Sequence, residues 1–221
     1  MDARTRRLNV SQRMFSFQMW SLKAAGYRVV SLKEILEFAG GTEKRGRFAC
    51  LTFDDGYMDF YDNAFPVLKK YGYPSTVFMV SGLAGRVNLW DSAKYKNGYG
   101  KRPLLDWQKA KELSAGGVTF GAHTMTHPHL TRIPAARMKD EILDSKLEIE
   151  DRTGSPVDFF CYPYGDYNKD VMREVREAGF LGATSSKRGF VLRGDDFFKL
   201  KRMGPGPMTW LSSICMPAIN T

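Results

Sequence analysis

Short apolar, β-branched stretches alternate with capped amphipathic ones along most of this 221-residue chain, and that alternation leaves few folds open. Neighbouring parallel strands need a crossover of a dozen residues or more, whereas a hairpin needs only a tight turn. Stretches spaced this far apart therefore specify a parallel sheet covered by helices. The strand-like stretches are Tyr27–Val30, Phe48–Phe53, Ser75–Val80, Val118–Ala122, Val157–Tyr162, Phe180–Thr184 and Phe197–Arg202. Ser11 caps a helix that ends at Gly26, and Ser31-Leu32-Lys33-Glu34 is a capping box for one that stops at Gly40-Gly41. Further helices are expected from about Asn63 to Tyr71, from Asp106 to Ala115, from Pro134 to Thr153 and from Asn168 to Ala178. Residues 83–103 carry Gly, Asn, Lys and Tyr without periodicity and read as a long loop, and the tail beyond Arg202 is irregular and Pro-rich. The prediction is an α/β chain, a distorted (β/α) barrel of about seven parallel strands resembling a TIM barrel, in a single catalytic domain over residues 1–221.

Composition narrows the setting. No apolar run approaches the eighteen or so residues of a membrane span. Met1–Arg7 is charged with no apolar stretch behind it, unlike a secretory signal, so the chain as it stands is expected in the cytoplasm, with export or peripheral membrane association left open. Cys50, Cys161 and Cys215 are an odd, widely spaced set that implies no disulfide framework, and the first two read as buried thiols. A formal charge of +9 favours anionic partners. No block of Lys and Arg with interleaved aromatics marks a nucleic-acid surface, and no nucleic acid is expected as a partner.

Three stretches carry chemistry. The run Phe48–Phe53 stops abruptly at Asp54-Asp55-Gly56-Tyr57. Adjacent aspartates on a regular strand point to opposite faces, so both reach one site only if the strand ends there and Gly56 lets the backbone turn. His123 and His127 follow the strand Val118–Ala122 at a four-residue spacing that would put both rings on one side of a helical turn, as in helical His-x-x-x-His zinc sites. With Asp55 they would make a two-His, one-carboxylate set that leaves positions for water and substrate. The strand Val157–Tyr162 ends in Pro163-Tyr164-Gly165, a stiff turn whose backbone N–H groups suit an oxyanion. Taken singly, each stretch also reads as a solvated turn or a surface pair. Their coincidence at matching strand ends points to a site.

These stretches resemble the motifs of the polysaccharide deacetylase family, carbohydrate esterase family four: Thr-Phe-Asp-Asp-Gly, then His-Ser/Thr-x-x-His, then Arg-x-Pro-Tyr. The resemblance covers nearly the whole chain in order and spacing. It implies a distorted (β/α) barrel, one divalent metal ion, usually zinc, and hydrolysis of N-acetyl groups on the amino sugars of a glycan, oligosaccharide or glycolipid. Asp55, His123 and His127 match the metal ligands, Asp54 the general base, and Tyr164 the residue whose backbone N–H helps to hold the oxyanion. Cobalt, nickel or manganese would also suit such a donor set.

Three departures from the family pattern stand out. The third motif's Arg, which steadies the base, is Cys161 here, and Arg202 at the end of the last strand is the candidate replacement. The family's late histidine is absent, His129 being the chain's only other one, so Asp54 is expected to serve first as base and then as acid. The strand with a Tyr-His pair that usually opens the family's barrel has no counterpart in Met1–Val10, so a first barrel strand is expected to be missing. Tyr57, Trp90 with its neighbour Asp91, Pro163 and Arg202 stand as candidate substrate contacts, and Trp107 as a core residue. The alternatives are a metal-dependent amidohydrolase for a small non-sugar amide, and a glycan-binding module that has lost catalysis.

Overall fold

A computed structural model describes residues 10–41, 46–90, 101–203 and 214–215. Asp91 and most of the Pro-rich tail lie outside these residues, as do Met1–Asn9. Seven parallel strands form one sheet in sequence order: β1 (Tyr27–Val29), β2 (Arg47–Phe53), β3 (Ser75–Met79), β4 (Val118–Ala122), β5 (Phe159–Cys161), β6 (Gly182–Arg188) and β7 (Leu200–Arg202). The helices are α1 (Gln12–Ala24), α2 (Leu32–Ala39), α3 (Phe65–Tyr71), α4 (Trp107–Ala115), α5 (Ala135–Thr153) and α6 (Lys169–Glu177). Ser11, Asp106 and Asn168 accept the N-terminal backbone N–H bonds expected of caps, and Ser31 and Glu34 make the reciprocal box.

Period-two alternation divides the sheet into two faces. Ala49 and Leu51 pack with α1, α3 and α4 in the outer layer, while Phe48 and Cys50 pack in the other apolar set with α2. Phe160 and Tyr162 against Phe159 and Cys161 repeat the division, as do Val77 and Met79 against Phe78. Both faces of the central strands are therefore apolar, which is why they read as continuous runs.

The sheet is rolled. Strands β2 and β7 are five spacings apart in sheet order, which in a flat sheet would separate them by roughly 24 Å. Instead Arg202, the last residue of β7, contacts Asp54 just after β2 at 2.7 Å. A short strand, β8 (Ile214–Cys215), pairs antiparallel with Cys50 and Leu51 of β2 and lies against β7.

Several boundaries differ from the sequence reading for local reasons. β5 begins at Phe159 and not Val157, because the Val157 N–H donates to the Glu150 side chain and its carbonyl accepts from Lys146. Phe197–Lys199 is a 3₁₀ turn capped by Asp196, which leaves only Leu200–Arg202 as strand. The helix ending at Tyr71 is entered through a π turn at Phe60–Ala64, with Pro66 at its start, where a missing N–H is harmless. Within the long connection after β3, Val87 pairs with Pro103, while residues 91–100 lie outside the described residues.

Gly121, two residues before His123, shows how closely the strands pack. A Cβ there would lie 2.5 Å from the Phe78 ring and 2.9 Å from the Phe159 carbonyl oxygen. Gly121→Ala should therefore cost about 1–3 kcal/mol in urea unfolding, as overpacking does. Unchanged stability would show that the strands can separate there.

Candidate active site

Each strand delivers its residues at its carboxyl end, where a parallel barrel gathers its loops. Asp54 and Asp55 leave β2 in opposite senses because Asp55 itself adopts a left-handed backbone, φ 72°, followed by Gly56 at 68°. Asp54 turns to Arg202, and Asp55 turns to the two histidines. The turn thus begins one residue earlier than the glycine alone implies.

The histidines reach Asp55 by a different route from the one their spacing implies. Residues 123–127 form no helical turn. Thr124 and His127 have φ of 66° and 62°, and the His127 N–H donates to the Thr124 hydroxyl at 2.9 Å. His123 is fixed as a continuation of β4, its N–H donating to the Met79 carbonyl. Its Nδ1 lies 2.7 Å from the Cys161 carbonyl, which can only accept, so Nδ1 carries a hydrogen and Nε2 is the nitrogen left to serve as a ligand. The Nε2 atoms of His123 and His127 lie 3.3 and 3.4 Å from the same Asp55 oxygen. The three donor atoms are within 4.8 Å of one another, and both rings are buried. Converging nitrogen and oxygen donors, with a tautomer fixed on one ring, suit a divalent cation. Among the described residues, no other His/Cys/Asp/Glu cluster has this form.

Electrostatics set the two carboxylates apart from ordinary surface acids. Burial pushes the Asp54 carboxyl up, but the Arg202 guanidinium outweighs it and holds the pKa below the usual carboxylate range. Burial also works against Asp55, and the His123 and His127 hydrogen bonds overcome it to hold that pKa low. Burial would lower both imidazoles. Cys161 and Asp55 reverse this for His123, whose pKa is raised well above its ordinary value, whereas burial prevails at His127.

Arg202 grips Asp54 with two parallel bonds, Nη1 to Oδ1 and Nη2 to Oδ2, both 2.7 Å. Nη1 also donates to the Thr52 hydroxyl, Nε to the Ser185 carbonyl, and Nη2 lies 3.4 Å from the Cys161 sulfur. Arg202 is buried. Of the candidate substrate contacts, Arg202 thus has its guanidinium turned to Asp54 and the groups around it. Pro163, another of those candidates, is buried at the start of its turn.

Tyr164 adopts φ 60° with its side chain 40% exposed. Its ring stacks on His129 at 3.9 Å and meets His127 edge-on at 4.6 Å. Trp90 stacks on His127 at 4.4 Å, and the Tyr57 ring lies 6.4 Å from that of Trp90. Arg102 lies over the Tyr57 ring, and Asn88 donates to the Tyr57 hydroxyl. Trp107 packs against the outer core layer. His129 is 3.5 Å from Asp166, which also accepts from Thr131.

Among the described residues, the non-glycine residues with positive φ are Asp55, Thr124, His127 and Tyr164, and all four are at this site. Left-handed backbone costs a residue with a side chain about 1–3 kcal/mol, and such strain gathers at functional sites. Sequence reading did not find Glu141, which holds Thr126 between the histidines. A charge beside Ile142 on the apolar face of an amphipathic helix was its only signal.

A barrel with metal-type donors and a gripped carboxylate at its open end defines a class of hydrolase-like sites, and comparison with known proteins places the chain within that class. The family model for polysaccharide deacetylases matches residues 41–183, and the chain belongs to that family. It is 26% identical over 201 residues to the Bacillus subtilis (strain 168) protein YxkH, covering 90% of this chain and 67% of the relative. It is 24% identical over 204 residues to a Staphylococcus aureus poly-β-1,6-N-acetyl-D-glucosamine N-deacetylase, covering 86% of this chain and 66% of the relative. The chain thus spans about two thirds of the length of these curated relatives. Among solved structures, IcaB from Ammonifex degensii superposes with a TM-score of 0.78 at 26% identity, covering 91% of this chain and 86% of that one. A Streptococcus pyogenes deacetylase, PplD, in complex with acetate superposes at 0.71 and 25% identity, covering 86% and 80%.

Removing Arg202 should expose what it holds. With a depressed pKa, Asp54 contributes stability above the unfolded carboxylate value, near 4, and that contribution is lost as pH falls through the folded value. Arg202→Met should therefore cost about 3 kcal/mol at pH 7, the low end for breaking a buried pair whose carboxylate is partly open to solvent. The gap to wild type should narrow on acidification as Asp54 takes a proton. Urea unfolding at pH 7 and pH 4 measures both, and an equal cost at the two values would contradict the pairing.

Proposed function

We propose that the protein is a metal-dependent N-deacetylase acting on N-acetylated amino sugars within a glycan or glycolipid. The observation that carries this reading is the convergence of the Asp55, His123 and His127 donors beside a carboxylate, Asp54, that a bidentate arginine keeps ionised and in place. Membership of the polysaccharide deacetylase family and the named activity of the Staphylococcus relative support the substrate class.

Asp55, His123 and His127 would hold the ion, with zinc the first choice for this nitrogen-rich set. A divalent ion there would polarise the acetamide carbonyl and make a water molecule acidic near neutral pH. Asp54 takes the proton from the attacking water and, as the C–N bond breaks, returns it to the departing amine. Arg202 keeps that carboxylate from rotating away and favours its charged form. The Tyr164 backbone N–H stabilises the negative oxygen of the tetrahedral intermediate, its left-handed turn being braced by the stack on His129. Trp90 and Tyr57, beside His127, offer aromatic faces to a sugar ring. The natural compartment of the chain is a separate matter: among the described residues, no helix is long and apolar enough to cross a membrane.

Acetate release from N-acetylglucosamine oligomers, together with metal analysis of the purified protein, tests the scheme. Asp54→Asn should retain the ion and lose about 10²–10⁴ in turnover, the usual contribution of a general base. His123→Ala should lose both metal and activity. A wild-type protein that binds the ion yet releases acetate only from small non-sugar amides would overturn the substrate class.

A further inference from the structure

The loop between the two histidines has no ladder of its own, and one buried acid holds its middle residue by backbone and side chain together. Glu141 lies on α5 at 5% exposure, on the face it shares with Met138 and Ile142. Both carboxylate oxygens turn to Thr126: one accepts its backbone N–H at 2.8 Å, the other its hydroxyl at 2.5 Å. Arg137, one helical turn earlier, stands 3.6 Å away and balances the charge. A carboxylate buried on an apolar helix face is costly unless its bonds are all made, so the pairing is not incidental packing.

On the opposite side the loop is held at the turn after β3. The Ser81 N–H donates to the Thr124 carbonyl, and Gly82 lies so close that a Cβ would meet the Met125 carbonyl oxygen at 2.7 Å. The left-handed residues Thr124 and His127 stand at the two ends of the short segment these supports hold. Relaxation of either would swing the His127 imidazole away from Asp55.

We infer that Glu141 is a positioning residue for the metal site, holding Thr126 so that His127 Nε2 stays aimed at the point where His123 and Asp55 converge. The inference rests on the metal-site reading above, and deepens it by assigning a role to a residue that touches neither ion nor substrate. Its effect should appear as metal affinity, since a ligand set that must be reassembled binds more weakly than one held ready.

The test is a Zn²⁺ titration of metal-stripped protein against a chromophoric chelator, with urea unfolding of the same metal-free samples. Glu141→Ala should weaken Zn²⁺ binding by about ten- to a hundredfold, the range typical of groups that orient metal ligands. Glu141→Gln should fall between, because an amide can accept only one of the two Thr126 bonds. Thr126→Val, which loses the hydroxyl bond and keeps the backbone one, should have the smallest effect, and should add nothing to Glu141→Ala. Should Glu141→Ala fail to fold, Glu141→Gln and Thr126→Val decide the matter. Variants that lower the unfolding midpoint but bind Zn²⁺ like wild type would reduce Glu141 to a structural residue and overturn the inference. A wild-type protein that binds no Zn²⁺ would instead remove the metal-site reading itself.

Discussion

The bidentate pair between Arg202 and Asp54 joins the last strand of the parallel series to the second. Closing a rolled sheet needs some contact across the seam, and here two charge-assisted bonds supply it at the end of the barrel where the site lies. The same bonds fix Asp54, the acid that stands outside the Asp55, His123 and His127 cluster. Architecture and site are therefore coupled: loosening the seam would free Asp54, and neutralising Asp54 would leave a buried guanidinium without its main partner. The environment of Arg202, with Thr52, Ser185 and Cys161 around the rest of its donors, makes the coupling stiff.

Around that pair the chain concentrates its unfavourable backbone. Asp55, Thr124, His127 and Tyr164 are all held in left-handed conformations that residues with side chains ordinarily avoid. Each is held by partners from another element. Asp55 is placed by two imidazoles, Thr124 by the Ser81 N–H, and Tyr164 by the ring of His129. Regular strands and well-capped helices elsewhere provide the rigid frame against which such turns can be kept.

How much of this was legible varies with the distance between the groups concerned. The strand order, the caps at Ser11, Ser31, Asp106 and Asn168, and the placing of Asp54, Asp55 and His123 just after strands all follow from local pattern. The family resemblance was legible too, and residues 41–183 match the family model. The spacing of His123 and His127 identified the pair but misled on its geometry. A four-residue interval fits a helical turn, yet two left-handed residues bring the rings together just as well. Strand ends at Val157 and Phe197 were misplaced because side chains of Glu150 and Asp196 take backbone bonds that a ladder would otherwise use.

Arg202 was named from its position as a candidate partner of Asp54, but its two-pronged grip could not be read from residues 148 positions apart. Nor could the Cys161 carbonyl that sets the His123 tautomer, or the Glu141 carboxylate that holds Thr126. By itself the sequence determined the alternation of strand and helix and the placing of acids and imidazoles at strand ends, because hydrophobic period and turn chemistry act over a few residues. Tertiary structure alone decided which acid faces the histidines, which faces the arginine and how each is held, because those choices depend on how far the sheet curls before its ends meet.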